Sequence, residues 1–173
     1  DMTLVPDFGQ TVFDDQILNV SPFEVRFNEN RSFFTEGTEL FNKSRLFYSR
    51  RIGDSPSLSP NTNENEFVTE SPASVQLLNA SKISGRTSKG LGIGFFNAIT
   101  EKTYATIEDT LSGETREELI EPLANYNVLV LDQVLKNNSY ITFTNTNVSR
   151  QGTARNANVE KLQVQIGTKE NSY

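Results

Sequence analysis

The sequence contains no cysteine and no histidine among its 173 residues. Without cysteine, the chain has no disulfide, no thiolate nucleophile and no zinc–thiolate site. Without histidine, it lacks the side chain that most often serves as a general base near neutral pH and as a transition-metal ligand. Any catalysis would depend on carboxylates, lysine, tyrosine or serine. The sequence shows no catalytic constellation, so we favour a non-enzymatic role and expect no cofactor and no bound metal.

Positive charge and long apolar runs are also scarce. The chain has 16 basic against 22 acidic residues, a net charge of −6, and its basic residues are scattered instead of forming a stripe. Nucleic acid is therefore not an expected partner. The longest clear apolar run, Val128 to Leu131, is far shorter than the roughly 18 residues of a membrane-crossing helix. Strands of a membrane β-barrel need only about 10 alternating residues, and this composition does not exclude them.

The remaining residues favour β-strands in a single region. Residues 1–26 carry proline and glycine between short β-branched runs, which predicts extended segments joined by turns. Phe23, Val25 and Phe27 alternate with charged residues, a pattern typical of a strand with one buried face. The chain length suits one domain, and because it begins at Asp1 we expect it to be a portion of a longer protein.

Three hairpins are predicted downstream. Their paired segments and turns are 82–87 with 91–99 around 88–90, 103–111 with 117–124 around 111–114, and 126–135 with 140–148 around 136–139. The acidic run 114–121 would also suit a short helix ended by Pro122, but we favour the hairpin. Residues 161–167 alternate as a last strand. Residues 54–74, rich in serine, proline, asparagine and glutamate, are predicted to form a long exposed loop.

The second strand of the first hairpin places large apolar side chains opposite very small ones. Leu91, Ile93 and Phe95 share one face, whereas Gly92 and Gly94 lie on the other. Glycine at alternate strand positions indicates that a bulky group or another backbone approaches that face.

The segment from Phe27 to Gly53 is unusually rich in aromatic residues and arginine, with six aromatic residues and four arginines. Its candidate site residues, which we expect to form a structural ion-pair or aromatic cluster, are Arg31, Phe33, Phe34, Glu36, Gly37, Tyr48, Arg50 and Arg51. Arginine forks could also bind an anion or a sugar carboxylate, and the rings could stack on sugars, so these alternatives stay open. Gly37 and Gly53 are predicted to adopt positive φ. Asp132, in an apolar strand, is expected to face a lumen or to be hydrogen-bonded.

Seven sequence blocks, taken in order, resemble one family. They are residues 5–10 (Val-Pro-Asp-Phe-Gly-Gln), 27–37, 40–41, 48–53, 83–86, 90–94 with 97–98, and 125–132. The family is a domain-of-unknown-function family of outer-membrane proteins from Bacteroidota, in which this region follows a family-9-like carbohydrate-binding module and leads into a β-barrel. The resemblance covers roughly residues 1–158. Residues 159–173 resemble a later family strand, so we expect intervening sequence to be missing.

The resemblance implies an all-β fold, an antiparallel meander of long hairpins that forms part of an outer-membrane β-barrel. It implies a location in the outer membrane of a Gram-negative bacterium and a non-enzymatic role in transport, assembly or surface interaction. Its partners would be outer-membrane lipid, other outer-membrane or periplasmic proteins, and carbohydrate bound through a separate module. The alternatives are a part of a cell-surface protein that binds carbohydrate or hydrolyses polysaccharide, and a soluble β-sandwich.

The long alternating strands, near ten residues each, favour the barrel over an ordinary soluble sheet. In a barrel, the face with Leu91, Ile93 and Phe95 would meet lipid and the polar face would line the lumen. An arginine at position 93 should then block membrane assembly, and an arginine at position 94 should be better tolerated.

Overall fold

The computed structural model describes residues 2–4, 28–152 and 154–168. Its elements are β1 (Met2–Leu4), α1 (Ser32–Thr35), α2 (Glu39–Asn42), a 3-10 turn (Ser49–Arg51), β2 (Glu66–Glu70), β3 (Leu77–Arg86), β4 (Leu91–Thr100), β5 (Thr103–Asp109), β6 (Thr115–Glu121), β7 (Ala124–Val134), β8 (Tyr140–Arg150) and β9 (Ala157–Gln165). The predicted all-β fold is confirmed, because the described strands form two antiparallel sheets. No helix in the described ranges is long and apolar enough to cross a membrane. The strand predicted at residues 23–27 lies outside the described residues.

The larger sheet has six strands in the order β1, β3, β4, β7, β8 and β9, and the smaller sheet has β2, β5 and β6. The three predicted hairpins are confirmed as β3–β4, β5–β6 and β7–β8, and the acidic run 114–121 is part of a hairpin and not a helix. The predicted last strand is β9, which pairs antiparallel with β8. Among the described strands, β1 and β9 pair on one side only and form the edges of the larger sheet.

The β5–β6 hairpin continues the β4–β7 pair, with only two residues between consecutive strands on each side. Thr100 pairs with Ala124 at the end of one ladder, and Thr103 pairs with Glu121 at the start of the next. Strand β2 then adds to the other side of β5. Strand β2 lies within residues 54–74, which were predicted above to form one long loop. The prediction missed this strand because its hydrogen-bonding partner is β5, and the polar sequence of the segment gives no sign of that pairing.

One face of the larger sheet is covered by residues 28–53, which we call the cap segment. Its aromatic side chains form the core together with the even-numbered residues of β4 and β7. A Cβ at Gly92 would lie 2.9 Å from Leu40 Cδ2, and one at Gly94 would lie 3.1 Å from Phe41 Cζ. The bulky approach predicted from the alternating glycines is therefore confirmed, and helix α2 supplies it.

The opposite face of the larger sheet, which we call the open face, carries two belts. The apolar belt consists of side chains that are between 38% and 66% exposed: Ile83, Ile93, Phe95, Leu131, Ile141, Leu162 and Val164. The asparagine belt lies further along the same strands: Asn97, Asn125, Asn127, Asn145, Asn147 and Asn158. The pairs 97–127, 127–147 and 147–158 make a straight row across four strands, in which Asn97 Nδ2 donates to Asn127 Oδ1 at 2.9 Å. The open face thus changes from hydrocarbon to amide along each strand.

The close approach of the cap segment corrects one expectation from the sequence. An arginine at position 94 was expected to be better tolerated than one at position 93. That expectation assumed open space at position 94, whereas a Cβ there would lie 3.1 Å from Phe41 Cζ, so an arginine could enter only if the Phe41 ring moved. Space is available elsewhere: nothing lies within 4 Å of the position that a Cβ would take at Gly85 on β3.

We predict that Gly94→Val lowers the free energy of unfolding by about 1–3 kcal/mol, because the added methyl groups overpack the contact with Phe41. Gly85→Ala is the matched control, a glycine on the neighbouring strand with open space around it. It should be neutral or more stable by up to about 1 kcal/mol, since alanine restricts the unfolded chain. Urea unfolding of the two purified variants measures both values, and equal losses would contradict the close approach of the cap segment.

Candidate functional site

The cap segment brings its phenylalanines into one cluster on the sheet. Phe33 and Phe34 are 6% and 3% exposed, and their ring centroids lie 5.1 Å apart in an edge-to-face arrangement. Both rings also pack near Phe96 of β4, as do Phe41 and Phe47. These rings pack against one another and contribute to the core.

Arg31 ties the two ends of the cap segment together. Its guanidinium pairs with Glu29 through Nε and Nη2, each at 2.8 Å, and lies 4.0 Å over the Phe34 ring. It also donates to the carbonyl oxygens of Ser49 and Ile52, at 2.9 and 2.7 Å. Burial raises the pKa of Glu29, but the hydrogen bonds from Arg31 and Ser49 outweigh burial and hold that pKa below its ordinary value. With these bonds in place, the guanidinium is engaged within the cap segment and is not presented to an external anion.

The glycines of the segment have the conformations expected from the sequence. Gly37 has a φ of +58° and Gly53 a φ of +77°. Glu36, which precedes Gly37, has an exposed side chain, and its backbone oxygen accepts a hydrogen bond from Lys82. The contact that Glu36 makes with the sheet is therefore through its backbone oxygen. The acidic partner of Arg31 is Glu29 and not Glu36.

The last three candidate residues lie at the end of the cap segment. Tyr48 precedes the 3-10 turn, which contains Arg50 and Arg51. The Arg51 guanidinium lies 5.8 Å from the centre of the Tyr48 ring. Arg50 borders one cavity and Arg51 another, while Arg31 binds the backbone carbonyls of Ser49 and Ile52 on either side of them.

A buried charge cluster that the sequence analysis did not assemble joins the cap segment to the sheet. Asp132 on β7 is fully buried, and its Oδ1 accepts from Lys43 Nζ and Thr142 Oγ1 at 2.5 Å each. Its Oδ2 accepts from Arg86 Nη2 on β3, also at 2.5 Å. Lys43 in turn lies 3.8 Å from the centre of the Tyr140 ring. One carboxylate thus connects the end of α2 with strands β3, β7 and β8.

The partners of Asp132 decide its ionisation. Burial raises the pKa of this carboxyl, but hydrogen bonds from Lys43, Thr142 and Arg86 outweigh burial and hold the pKa below its ordinary value. Because both oxygens accept from cations, the carboxylate is a weak base and a weak nucleophile. We therefore assign Asp132 a structural role as an anchor. The sequence signal for it was a charged residue inside an apolar strand, without any indication of which cations it meets.

Lys82 on β3 forms a second anchor between the sheet and the cap segment. The residue is 6% exposed, and its Nζ donates to the carbonyl oxygen of Phe33 at 2.5 Å and to that of Glu36. These carbonyls lie at the end of α1, where unpaired backbone oxygens attract a cation. Burial lowers the pKa of Lys82, and the charge of Glu36 opposes that shift. Lys82 was missed because a lysine in an alternating strand normally indicates the solvent side.

Two cavities border the cap segment. The first has a volume of about 300 Å³ and lies beside α1 and α2, with Phe34 and Tyr48 in its walls. The second has a volume of about 200 Å³ and lies where the two sheets meet, next to Thr100 and Glu121. Within the described ranges, no group of three or more His, Cys, Asp or Glu side chains is arranged to hold a metal ion.

These features define an all-β protein with two antiparallel sheets. The cap segment covers one face of the larger sheet, and charged side chains anchor the cap segment to that sheet. The chain belongs to the family described as Domain of unknown function (DUF5916), which matches residues 1–173. The match agrees with the resemblance to a domain-of-unknown-function family seen in the seven blocks. No curated protein and no solved structure matches the chain.

We predict that Asp132→Asn lowers the free energy of unfolding by about 2–3 kcal/mol at neutral pH, because Lys43 and Arg86 lose their shared acceptor. The loss stays moderate because the side chains of these two cations are 26% and 40% exposed and can reach water. The folded-state pKa of Asp132 lies below the unfolded value, so its contribution is present at neutral pH and is lost as the pH falls through the folded-state pKa.

The stability difference between wild type and D132N should therefore shrink as the pH drops below about 4. Urea unfolding at a series of pH values measures this difference. Glu64→Gln, which changes an exposed carboxylate, is the control and should match wild type throughout. A D132N difference that stays constant down to the lowest pH would show that the anchor does not act through the charge of Asp132.

Proposed function

We propose that this chain is part of an outer-membrane β-barrel with a non-enzymatic role in transport, assembly or surface interaction. The observation that carries the proposal is the open face, where large apolar side chains stand exposed beside a row of asparagines. Lipid suits the apolar belt, because barrel strands alternate between residues that face hydrocarbon and residues that face the interior. Asparagine at the end of the belt suits the polar boundary of a membrane.

The distribution of charge between the two faces supports the proposal. Asp132 and Lys82, the buried charged groups of the larger sheet, both lie on the side of the cap segment. Ile93 and Phe95 lie on the other side, and they are 43% and 41% exposed. Charge inside and hydrocarbon outside is the arrangement that a barrel requires in lipid.

The connections at the two ends of the sheet also differ. At the end of the apolar belt, β3–β4 and β7–β8 are joined by short turns, at residues 87–90 and 135–139. At the end of the asparagine belt, residues 151–156 join β8 and β9, and β4 and β7 are joined through the whole β5–β6 hairpin. Outer-membrane barrels have short turns on the periplasmic side and longer loops outside. We therefore place the short turns in the periplasm and the β5–β6 hairpin at the cell surface.

The length of the apolar belt favours a second candidate. Strands β7 and β8 have 11 residues each, which is enough to span a membrane. On β4, however, the belt runs only from Leu91 to Phe95, about 14 Å at about 3.4 Å per residue. The apolar band of an outer-membrane barrel is about 25 Å tall. A belt this short also suits a soluble β-sandwich, in which a second sheet would cover it.

The wider setting that we propose follows from the seven sequence blocks. The parent protein would belong to Bacteroidota and would carry a carbohydrate-binding module before this region. Carbohydrate would then be bound by that module, and other outer-membrane or periplasmic proteins would be further partners. The order and spacing of the blocks support this setting.

Fractionation of the native host tests the location. We expect the parent protein to be extracted only with detergent and to migrate differently on electrophoresis before and after heating, because a closed barrel resists the detergent until heated. Recovery of the parent protein in the soluble fraction, without a heat-dependent shift, would overturn the membrane proposal and leave the β-sandwich as the explanation of the open face.

Ile93→Arg is expected to reduce insertion into the membrane, since an arginine that faces the middle of the bilayer costs about 2–4 kcal/mol in a barrel. Ser149→Arg places the same charge on the open face within the asparagine belt, opposite Asn125, where the cost near the interface falls to about 0–1 kcal/mol. The inserted fraction of each variant is measured by detergent fractionation of host cells. If both variants insert equally well, the open face does not meet lipid.

A further inference from the structure

The cavity of about 200 Å³ between the two sheets, which we call the junction cavity, is lined by polar groups from four strands and from the cap segment. The lining groups that matter here are Arg51, Ser57, Thr100, Glu121, Tyr126 and Arg150. We propose that the junction cavity binds a small, neutral, polyhydroxylated ligand such as a single sugar residue. This inference does not depend on where the protein is located.

The carboxylate of Glu121 is built into the wall of the cavity. The residue is 4% exposed, and its Oε2 accepts from the backbone N–H and the hydroxyl of Ser57, at 2.8 and 2.5 Å. Its Oε1 lies 3.8 Å from Arg150 Nε, a distance that allows an ion pair but is too long for a normal hydrogen bond. One oxygen is thus saturated, and the other keeps acceptor capacity for a hydroxyl group in the cavity.

Thr100 brings a buried hydroxyl to the same place. The residue is 1% exposed, and its Oγ1 has no partner with hydrogen-bond geometry among the described residues. Tyr126 and Arg150 line the cavity together with Thr100. Burial raises the pKa of the Tyr126 phenol, and Arg150 and the nearby Thr100 hydroxyl shift it the other way, although the Thr100 hydroxyl does not meet the phenol with hydrogen-bond geometry. Buried hydroxyls are nearly always paired, so an unpaired one in the wall of a cavity calls for a partner inside it.

The charges and the size of the cavity define the class of ligand. Two arginines, Arg51 and Arg150, and two acidic residues, Asp54 and Glu121, line the cavity, so its wall carries no excess of charge that would favour an anion or a cation. The wall offers donors and acceptors together, and hydroxyl groups of the ligand can both donate and accept. The volume equals about seven water molecules at about 30 Å³ each, which admits one sugar ring or a short polyol.

The test titrates the full-length protein with D-glucose, D-galactose and D-mannose and follows the NMR signal of the labelled Tyr126 ring. We expect saturable shifts with at least one of these sugars. Thr100→Val keeps the shape of the side chain but removes the hydroxyl, and it should weaken binding about tenfold, the equivalent of one hydrogen bond. Because that hydroxyl has no partner with hydrogen-bond geometry among the described residues, the variant should unfold at the same temperature as wild type or at a higher one.

Thr144→Val is the matched control. Thr144 is fully buried, and its hydroxyl also lacks a partner among the described residues, but it does not line the junction cavity. This variant should bind the sugar as wild type does. Equal weakening by the two variants would overturn the proposal, as would the absence of saturable shifts with all three sugars, which would leave ordered water as the occupant. Saturable shifts with inorganic phosphate in place of the sugars would also overturn it, because they would indicate an anion site.

Discussion

The cap segment depends on the groove that Gly92 and Gly94 leave in strand β4. With no side chains at these two positions, helix α2 comes close enough for Leu40 and Phe41 to lie against the strand itself. A gap of about 0.5–1 Å forfeits roughly a quarter to a half of the dispersion attraction, so a helix held further away would lose a substantial part of this contact energy. The packing of the cap segment around Phe96, and with it the core of the larger sheet, therefore depends on the absence of side chains at Gly92 and Gly94 on the same face of β4.

Charged groups fix where the cap segment lies on this groove. Burying Asp132 or Lys82 costs desolvation energy that their hydrogen bonds offset, so each anchor adds less to net stability than its short distances suggest. Contacts between phenylalanine rings and aliphatic side chains are not directional and tolerate small displacements. A buried carboxylate that accepts from Lys43, Arg86 and Thr142 at once restricts where Lys43 of the cap segment can lie. The rings hold the cap segment against the sheet, and the anchors determine its register.

Much of the fold could be predicted from the sequence because strand alternation and turns are local signals. The three hairpins and the bulky approach to Gly92 and Gly94 follow from residues that are neighbours in the chain. The asparagine row could not be predicted, because four residues align only once the register of four strands is known. The partner of Arg31 was missed for a different reason: Glu29 lies two residues away, and several acidic residues nearby were equally plausible from spacing alone. Strand β2 was missed because its ladder is supplied by β5, far along the chain.

Some of the hydrogen bonds that anchor the cap segment are accepted by backbone carbonyl oxygens and not by side chains. Lys82 and Lys161, both on the larger sheet, donate to carbonyl oxygens of the cap segment, those of Phe33, Glu36 and Ser44. A carbonyl oxygen is present whatever side chain its residue carries. Mutations at the receiving residues can therefore accumulate during evolution without removing these bonds, whereas loss of either lysine removes them at once. Related chains can consequently diverge in the cap segment more than in the sheet and still share one structure.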